Sequence, residues 1–272
     1  LQSEKDLKLV YKSYDIVGDI AIIRVSESLK QQSRKIAEDI METHKNVKSV
    51  WGQYSPVLGD FRLRTLKWVA GEMRTETIHK EFGCIFKVDI AHCYFSPRLS
   101  YERQRIAQQV RSAEVVVNMF AGVGCYSIII AKHSKADKIY SIDLNPIAIK
   151  YMQDNIKLNK VEGKVFAIQG DAKEVIKEKM QESADRILMP LPQLAYSYLD
   201  YAIFTLKPNG GWIHYYDFEH AGKEENPKEK VKAKISGKLQ KLCNGFEMPY
   251  ARVVRTTGPN WYQIVVDILV RK

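Results

Sequence analysis

The chain has 272 residues, 42 Lys+Arg against 32 Asp+Glu, a formal charge of +10, and 45% hydrophobic residues. That apolar share is ample for a packed core, and the length allows one large or two modest domains. No run of eighteen apolar residues occurs, and LQSEKDLKLVYKSYD has no cationic flank leading into an apolar block, so neither a membrane span nor a secretory signal is readable and a cytoplasmic location is expected. Four scattered cysteines, Cys84, Cys93, Cys125 and Cys243, form no CxxC pair; they are read as ordinary thiols, and no metal site is expected.

In chain order, the segments from about 11 to 25 and from 57 to 95 hold short apolar runs broken by Gly, Asp and Pro. The stretch SLKQQSRKIAEDIMETH between them has helical spacing, which makes the whole an α+β pattern. YERQRIAQQV after Ser100 predicts another helix. From Ala113 the texture changes to strand and helix in alternation, with strands predicted at 114–119, 137–143, 164–169, 185–189, 211–217, 249–255 and 261–270. VVVNM and RILM are apolar on both faces, as parallel strands covered by helices require. The last two strands, joined through TTGPN, read as an antiparallel hairpin. This places a smaller α+β domain at 1–110 and a doubly wound α/β domain at 111–272. Residues 223–272 hold 11 Lys+Arg against 5 Asp+Glu, and KEKVKAKISGKLQK reads either as a solvated helix face or as a surface for a polyanion.

In a doubly wound sheet the ligand sits beyond the carboxyl ends of the strands, and the first strand-to-helix turn needs glycine for close backbone approach. Phe120-Ala121-Gly122-Val123-Gly124 supplies that turn. The second predicted strand ends in Ile142-Asp143-Leu144-Asn145-Pro146, putting a carboxylate about twenty residues after the glycines, where it can accept ribose hydroxyls. A third strand ends in Gly170-Asp171-Ala172, an acid for the edge of an adenine or a cap for the next helix. Ser127 stands where a dinucleotide fingerprint would carry its third glycine, so a phosphate-free adenosine ligand suits the turn better.

The turn FAGVG followed by IDLNP resembles class I methyltransferases, a Rossmann-like fold that implies S-adenosylmethionine as cofactor. It departs from them at Asn118, where an acid is usual and where the amide is expected to keep hydrogen-bonding in the pocket. Together with GDFRLRTLKWVAGE, CYFSPRLSYERQRIA, GDA and DRILMPLP, the chain resembles the archaeal and eukaryotic-type tRNA (guanine-N1)-methyltransferases that act on the purine 3′ of the anticodon (position 37), from about residue 10 to the C-terminus. Members of that family often carry a further small N-terminal domain, which is not read here; the chain begins with Leu1 rather than Met.

By this resemblance Arg62, with Arg64 as a close rival, corresponds to a catalytic arginine and Glu102 to the general base. Tyr94, Arg98, Phe120, Ala121, Gly122, Val123, Gly124, Asp143, Leu144, Asn145, Asp171, Ala172 and Pro190 are the expected cofactor contacts. The chemistry fits these residue types: guanine N1 becomes nucleophilic as its proton leaves to a carboxylate, and a guanidinium stabilises the charge that develops on O6. The alternative reading of the same residues is a surface acid paired with an arginine, and an arginine pointing outward from a strand. Pro190-Leu191-Pro192 stands where the family commonly has Asn-Leu-Pro, as in an archaeal branch that also, or instead, methylates the tricyclic wyosine precursor. The resemblance implies tRNA, through its anticodon stem-loop, as the partner and a monomer as the working form. Two alternatives remain: a sister family transferring the aminocarboxypropyl chain of the same cofactor, and a non-catalytic RNA-binding protein.

Overall fold

The computed structural model describes residues 14–25, 31–55, 59 and 61–272. Parts of the predicted N-terminal segments (residues 11–13, 28–30, 57, 58 and 60) lie outside them. No helix among the described residues is long and apolar enough to cross a membrane.

The described chain opens with β1 (Asp15–Val17), β2 (Ile20–Arg24), α1 (Ser33–Thr43), β3 (Ser49–Gln53) and β4 (Leu66–Gly71). They form a four-stranded sheet in chain order, in which only the β2–β3 pair, joined across α1, is parallel. Ile36, Ala37 and Ile40 recur at helical spacing on α1 and pack with Ala21, Ile23 and Val50 in a small core. Because side chains alternate along a strand, Ile20 and Ile22 of β2 face the other way, into the core of the larger domain. Val17 of β1 joins them there, and Trp51 of β3 and Leu66 of β4 pack against the same cluster, so the N-terminal sheet shares a core with that domain.

A hairpin of β5 (Glu76–Glu81) and β6 (Cys84–Asp89) follows, then a 3₁₀ turn at Pro97–Leu99 leading into α2 (Ser100–Gln109). Then come β7 (Val115–Asn118), α3 (Cys125–His133), β8 (Lys138–Asp143), α4 (Pro146–Leu158), β9 (Val165–Gln169), α5 (Ala172–Lys179), β10 (Arg186–Met189) and α6 (Pro192–Thr205). The chain ends in β11 (Gly211–His220), α7 (Pro227–Leu242), β12 (Gly245–Gly258) and β13 (Trp261–Arg271). Phe86, Val88, Ile106 and Ala107 share one cluster with Ile128 and Ile129 of α3, so this packing reaches across the boundary predicted near 110. The backbone of β6 is held from the side by amides of α4 and its C-cap: Asn155 Oδ1 accepts from Lys87 N at 2.7 Å and Asn159 Oδ1 from Ile85 N at 2.8 Å.

The large sheet has the order β12-β13-β11-β10-β7-β8-β9. β11, β10, β7, β8 and β9 are mutually parallel, and β13 inserts antiparallel between β11 and β12. Every predicted strand is present, but the last two are longer than expected: most of TTGPN lies within β12, leaving Pro259 and Asn260 as the turn. Alternate residues of one strand enter opposite cores. Val116 and Leu188 pack with α3 and α4, whereas Val117, Ile187 and Met189 pack with α5, α6 and α7. Two-sided burial is why these strands read as unbroken apolar runs.

Candidate active site

At the carboxyl ends of β7, β8, β9 and β10 lies a cavity of about 320 Å³, the size expected of a small-molecule site. From β7 the sheet grows one way through β8 and β9 and the other way through β10 and β11, and at such a switch between parallel neighbours an open α/β sheet leaves a crevice.

One end of the cavity carries carboxylates. Gly122 (φ +55) and Gly124 (φ +91) occupy left-handed conformations in the turn after β7, and a Cβ on Gly124 would come within 2.8 Å of Met152. Asp143 closes the turn: its Oδ2 accepts from Gly122 N at 2.6 Å and its Oδ1 from Asn145 N at 2.9 Å. Burial pushes the Asp143 carboxyl up, against the pull of these two backbone donors. Each oxygen keeps a further lone pair for a diol. The Gly122 N–H is already used, so this turn does not present it to a pyrophosphate. Asp171 caps α5 at Lys173 N and accepts from Tyr198 OH at 2.8 Å, and the Phe120 ring meets Tyr198 edge-on at 5.2 Å. Leu144, Asn145, Ala172 and Pro190 complete the lining. These groups fit an adenosine without a phosphate, as S-adenosylmethionine requires.

The other end carries arginines. Arg62 sits in a turn at φ +55 rather than on a strand, a conformation that costs about 1–3 kcal/mol and directs its side chain into the cavity. Its guanidinium lies 5.0 Å over the Tyr94 ring and its Nη1 donates to Gln193 of α6. Arg255 of β12 donates to Tyr94 OH at 3.0 Å. Burial alone would raise the Tyr94 phenol, but Arg255, Arg62 and Arg64 outweigh it and hold it below its ordinary value. Burial lowers the Arg62 guanidinium, with Arg255 acting in the same direction.

Several predicted contacts stand elsewhere. Arg64 points away from the cavity, donating to Phe95 O at 3.4 Å and approaching Asp15 at 4.0 Å, and Arg98 pairs with Asp15 at 2.5 Å. Ala121 and Val123 are buried in the core cluster and Gly124 starts α3, so these three shape the turn rather than line the cavity. Asn118 is turned to Ser127 at 3.2 Å, which Ser141 also meets at 2.7 Å. The two sequence departures, Asn118 and Ser127, therefore belong to one buried polar cluster beneath the turn.

Glu102 is 1% exposed and does not line the cavity. It accepts from Arg105 at 2.7 and 3.0 Å and from Tyr216 OH at 2.8 Å. Beyond Arg105 a buried chain continues through Asp267 (2.6 Å), His214 (2.6 Å) and Arg186 (2.7 Å) to Glu114 (2.7 Å). Since Arg186 can only donate, it fixes His214 with Nε2 as acceptor and the proton on Nδ1 facing Asp267. Burial lowers the His214 ring, against the attraction of Asp267. Burial likewise pushes the thiols of Cys93 and Cys125 up to about 12, which leaves them unreactive.

Residues 77–243 match the TRM5/TYW2 methyltransferase domain, and residues 2–75 match the TYW2 N-terminal domain. The chain belongs to the TRM5/TYW2 methyltransferase family. Among its relatives, the tRNA (guanine(37)-N(1))-methyltransferase Trm5b of Pyrococcus abyssi is 44% identical over 95% of this chain and 74% of its own length. The tRNA 4-demethylwyosine(37)-methyltransferase Taw21 of Saccharolobus solfataricus is 40% identical over 98% of this chain and 96% of its own. The structure of aTrm5 with tRNALeu superposes with a TM-score of 0.84 at 38% identity, covering 99% of this chain and 75% of that one. A Methanocaldococcus jannaschii aminocarboxypropyltransferase acting on tRNA(Phe) is 34% identical over 93% of this chain.

Within this TRM5/TYW2 chain four lysines of the basic helix are paired with acids, three of which come from outside the helix. Lys230 pairs with Glu225 at 3.0 Å, Lys232 with Glu229 at 3.2 Å, Lys234 with Asp217 at 2.8 Å, and Lys238 with Asp200. At the cavity, Arg62 donates to Gln193 and Arg255 to Gln263, Ser96 and Tyr94, all neutral partners. Sequence reasoning missed Tyr198, Gln193, Gln263 and Arg255. AYSYLDY reads only as a helix and ARVVRTT only as a strand, and neither pattern tells that Tyr198 meets Asp171 across 27 positions or that Arg255 meets Tyr94 across 161.

Proposed function

We propose that the chain transfers the methyl group of S-adenosylmethionine to N1 of the guanine at position 37 of tRNA, and to the tricyclic base built from that guanine. The observation that carries this reading is that one cavity is lined both by two carboxylates, Asp143 and Asp171, and by two arginines, Arg62 and Arg255. A diol and an adenine edge need acceptors, whereas a guanine losing its N1 proton needs cations at O6. We infer further that the enzyme works in the cytoplasm, as a monomer and without a metal ion.

Asp143 and Asp171 would hold the adenosine, with Phe120 and Tyr198 forming the apolar wall. When bound, S-adenosylmethionine supplies an electrophilic methyl on a sulfonium. Arg62, held against Tyr94 and Gln193, is aimed before the acceptor arrives, so its interaction with O6 strengthens as charge develops and little reorganisation is needed at that moment. Glu102 is the proposed base. It stands three residues after the cavity-lining Leu99 on the first turn of α2, and it takes the N1 proton by exchanging its Tyr216 and Arg105 bonds for the N1–H. That exchange also couples base and acceptor: the carboxylate is released only where something replaces its partners.

Pro190 lines the cavity and offers a carbonyl but no amide; this favours including the tricyclic acceptor. The experiment presents S-adenosylmethionine together with unmodified tRNA bearing guanine 37, and separately with tRNA bearing the demethylated tricyclic base, followed by nucleoside mass spectrometry. Methylated nucleoside with S-adenosylhomocysteine is the expected result. Methylthioadenosine as the sole by-product would replace methyl transfer by aminocarboxypropyl transfer.

A further inference from the structure

We propose that Arg255, on the C-terminal hairpin, is a positioning residue for the transfer: it fixes Tyr94, and Tyr94 in turn fixes the Arg62 guanidinium at the acceptor end of the cavity. This rests on the reading of Arg62 given above and adds a residue that neither the glycine turn nor the SPRLSYER block contains.

The register of β12 against β13 shifts between Val253 and Arg255 and again between Thr256 and Gly258. Bulges of this kind redirect side chains, and Arg255 lines the cavity instead of following the regular pleat. All three of its donor groups are engaged. Nε donates to Gln263 Oε1 at 2.7 Å, Nη1 to Ser96 Oγ at 2.9 Å and Nη2 to Tyr94 OH at 3.0 Å. Every one of these acceptors is neutral. A planar guanidinium fastened at three corners is a rigid bracket, which a lysine cannot imitate, and its charge stays uncompensated in the site.

The bracket acts on Tyr94, whose ring has Arg62 at 5.0 Å and Arg64 at 5.9 Å. Three guanidiniums around one phenol repel one another, so without a fixed ring between them Arg62 would relax outward. Among the described residues, the Arg62 side chain otherwise donates to Gln193, exposed on the first turn of α6, while its Nε is buried without a partner. The hairpin therefore controls, through one aromatic ring, an arginine some 190 positions earlier in the chain, a separation of the order that makes such a contact invisible to local pattern reading.

The test compares Arg255→Ala, Arg255→Lys, Tyr94→Phe and the Arg255→Ala/Tyr94→Phe pair with the parent enzyme. Single-turnover methylation should fall about 10–100-fold in Arg255→Ala, with cofactor and tRNA Kd within about threefold and Tm unchanged, because positioning acts on rate rather than binding. Arg255→Lys should recover less than half of the loss on a logarithmic scale, since it can reach one acceptor only. The double variant should be no slower than Arg255→Ala alone, the signature of two residues in one device. Independently of activity, the Arg62 Nε–H resonance in ¹⁵N-arginine-labelled protein, assigned with Arg62→Lys, should lose its Tyr94 ring-current shift in Arg255→Ala. An unmoved resonance, a rate within twofold of the parent, or multiplicative effects would overturn the proposal. Absence of methylated guanine from the parent enzyme, with the resonance shift intact, would count against the proposed function and not against the bracket.

Discussion

The two ends of the cavity are built differently. At the carboxylate end the contacts are local in sequence: Asp143 holds the backbone two residues ahead and twenty-one residues behind, and Asp171 caps the helix two residues on. At the arginine end they are remote, with Arg62 meeting Gln193 across 131 positions and Arg255 meeting Ser96 and Tyr94 across 159 and 161. Strand-end carboxylates are carried by the sheet itself and persist wherever the fold forms. The arginines depend on how the N-terminal segment, the 94–99 loop and the C-terminal hairpin come together. On the function proposed above, one end holds a common cofactor and the other selects and activates an acceptor.

The sharpest separation of the two ends concerns rate. Glu102→Gln should slow single-turnover methylation by about 10²–10⁴ while both dissociation constants stay within about threefold. If the variant instead melts earlier and turns over normally at saturation, Glu102 serves only to anchor Arg105 and belongs to the scaffold. Next in size is Asp143→Asn. Losing a charged acceptor that also ties down Gly122 and Asn145 should cost about 1.5–3 kcal/mol of cofactor binding, measured by calorimetry as a rise in Kd of about ten- to a hundredfold. Unchanged affinity in a folded protein would remove Asp143 from the carboxylate end.

The buried chain behind Glu102 gives a smaller effect, on stability. His214 is held neutral and its ring is lowered from 6.5 by burial. Below about pH 6.5 the unfolded chain takes up a proton that the folded ring refuses, so stability present above that pH declines as pH falls toward the folded value. Asp267 is lowered as well: burial raises it, but His214 and Arg105 outweigh that, adding a second loss below 3.8, the ordinary value of an aspartate. Thermal melts should show Tm falling between pH 7 and 5.5, about 2–4 °C for each kcal/mol. His214→Gln, whose amide can donate to Asp267 and accept from Arg186, should flatten that slope. An equally steep slope in the variant would place the titration elsewhere.

The smallest effect is expected from the basic helix. Changing Lys230, Lys232 and Lys234 together to Ala should weaken tRNA binding less than about threefold and alter the salt slope by less than about one, since each ammonium is already paired with an acid. A slope reduced by two or more would return the helix to the tRNA interface.

The same contrast governs what was legible in the sequence. The seven strands of the large sheet were readable because two-sided burial makes runs such as VVVN and RILM apolar throughout, and the glycine turn with Asp143 was readable because its geometry is short-range. The turn at Arg62 was not: its left-handed backbone is set by packing, and RLRT alternates in sequence as a strand would. The charge run stayed ambiguous for a related reason, since KEKVKAKISGKLQK displays its lysines while acids brought in by the fold, Asp217 and Asp200, offset them from other elements. The resemblance to a family carried Arg62, Tyr94 and Glu102, but not Arg255 or Gln193, which become visible only when the hairpin and the start of α6 are placed.

The central claim is that the carboxylate end binds and the arginine end activates, and Arg62→Ala tests it in one measurement: the single-turnover rate at saturating cofactor and tRNA, with cofactor Kd determined on the same protein. The account predicts a rate reduced by about 10²–10³, the usual size of a lost oxyanion donor, and a Kd within about threefold of the parent. A rate that returns to the parent value once cofactor is saturating, with Kd raised tenfold or more, would contradict it.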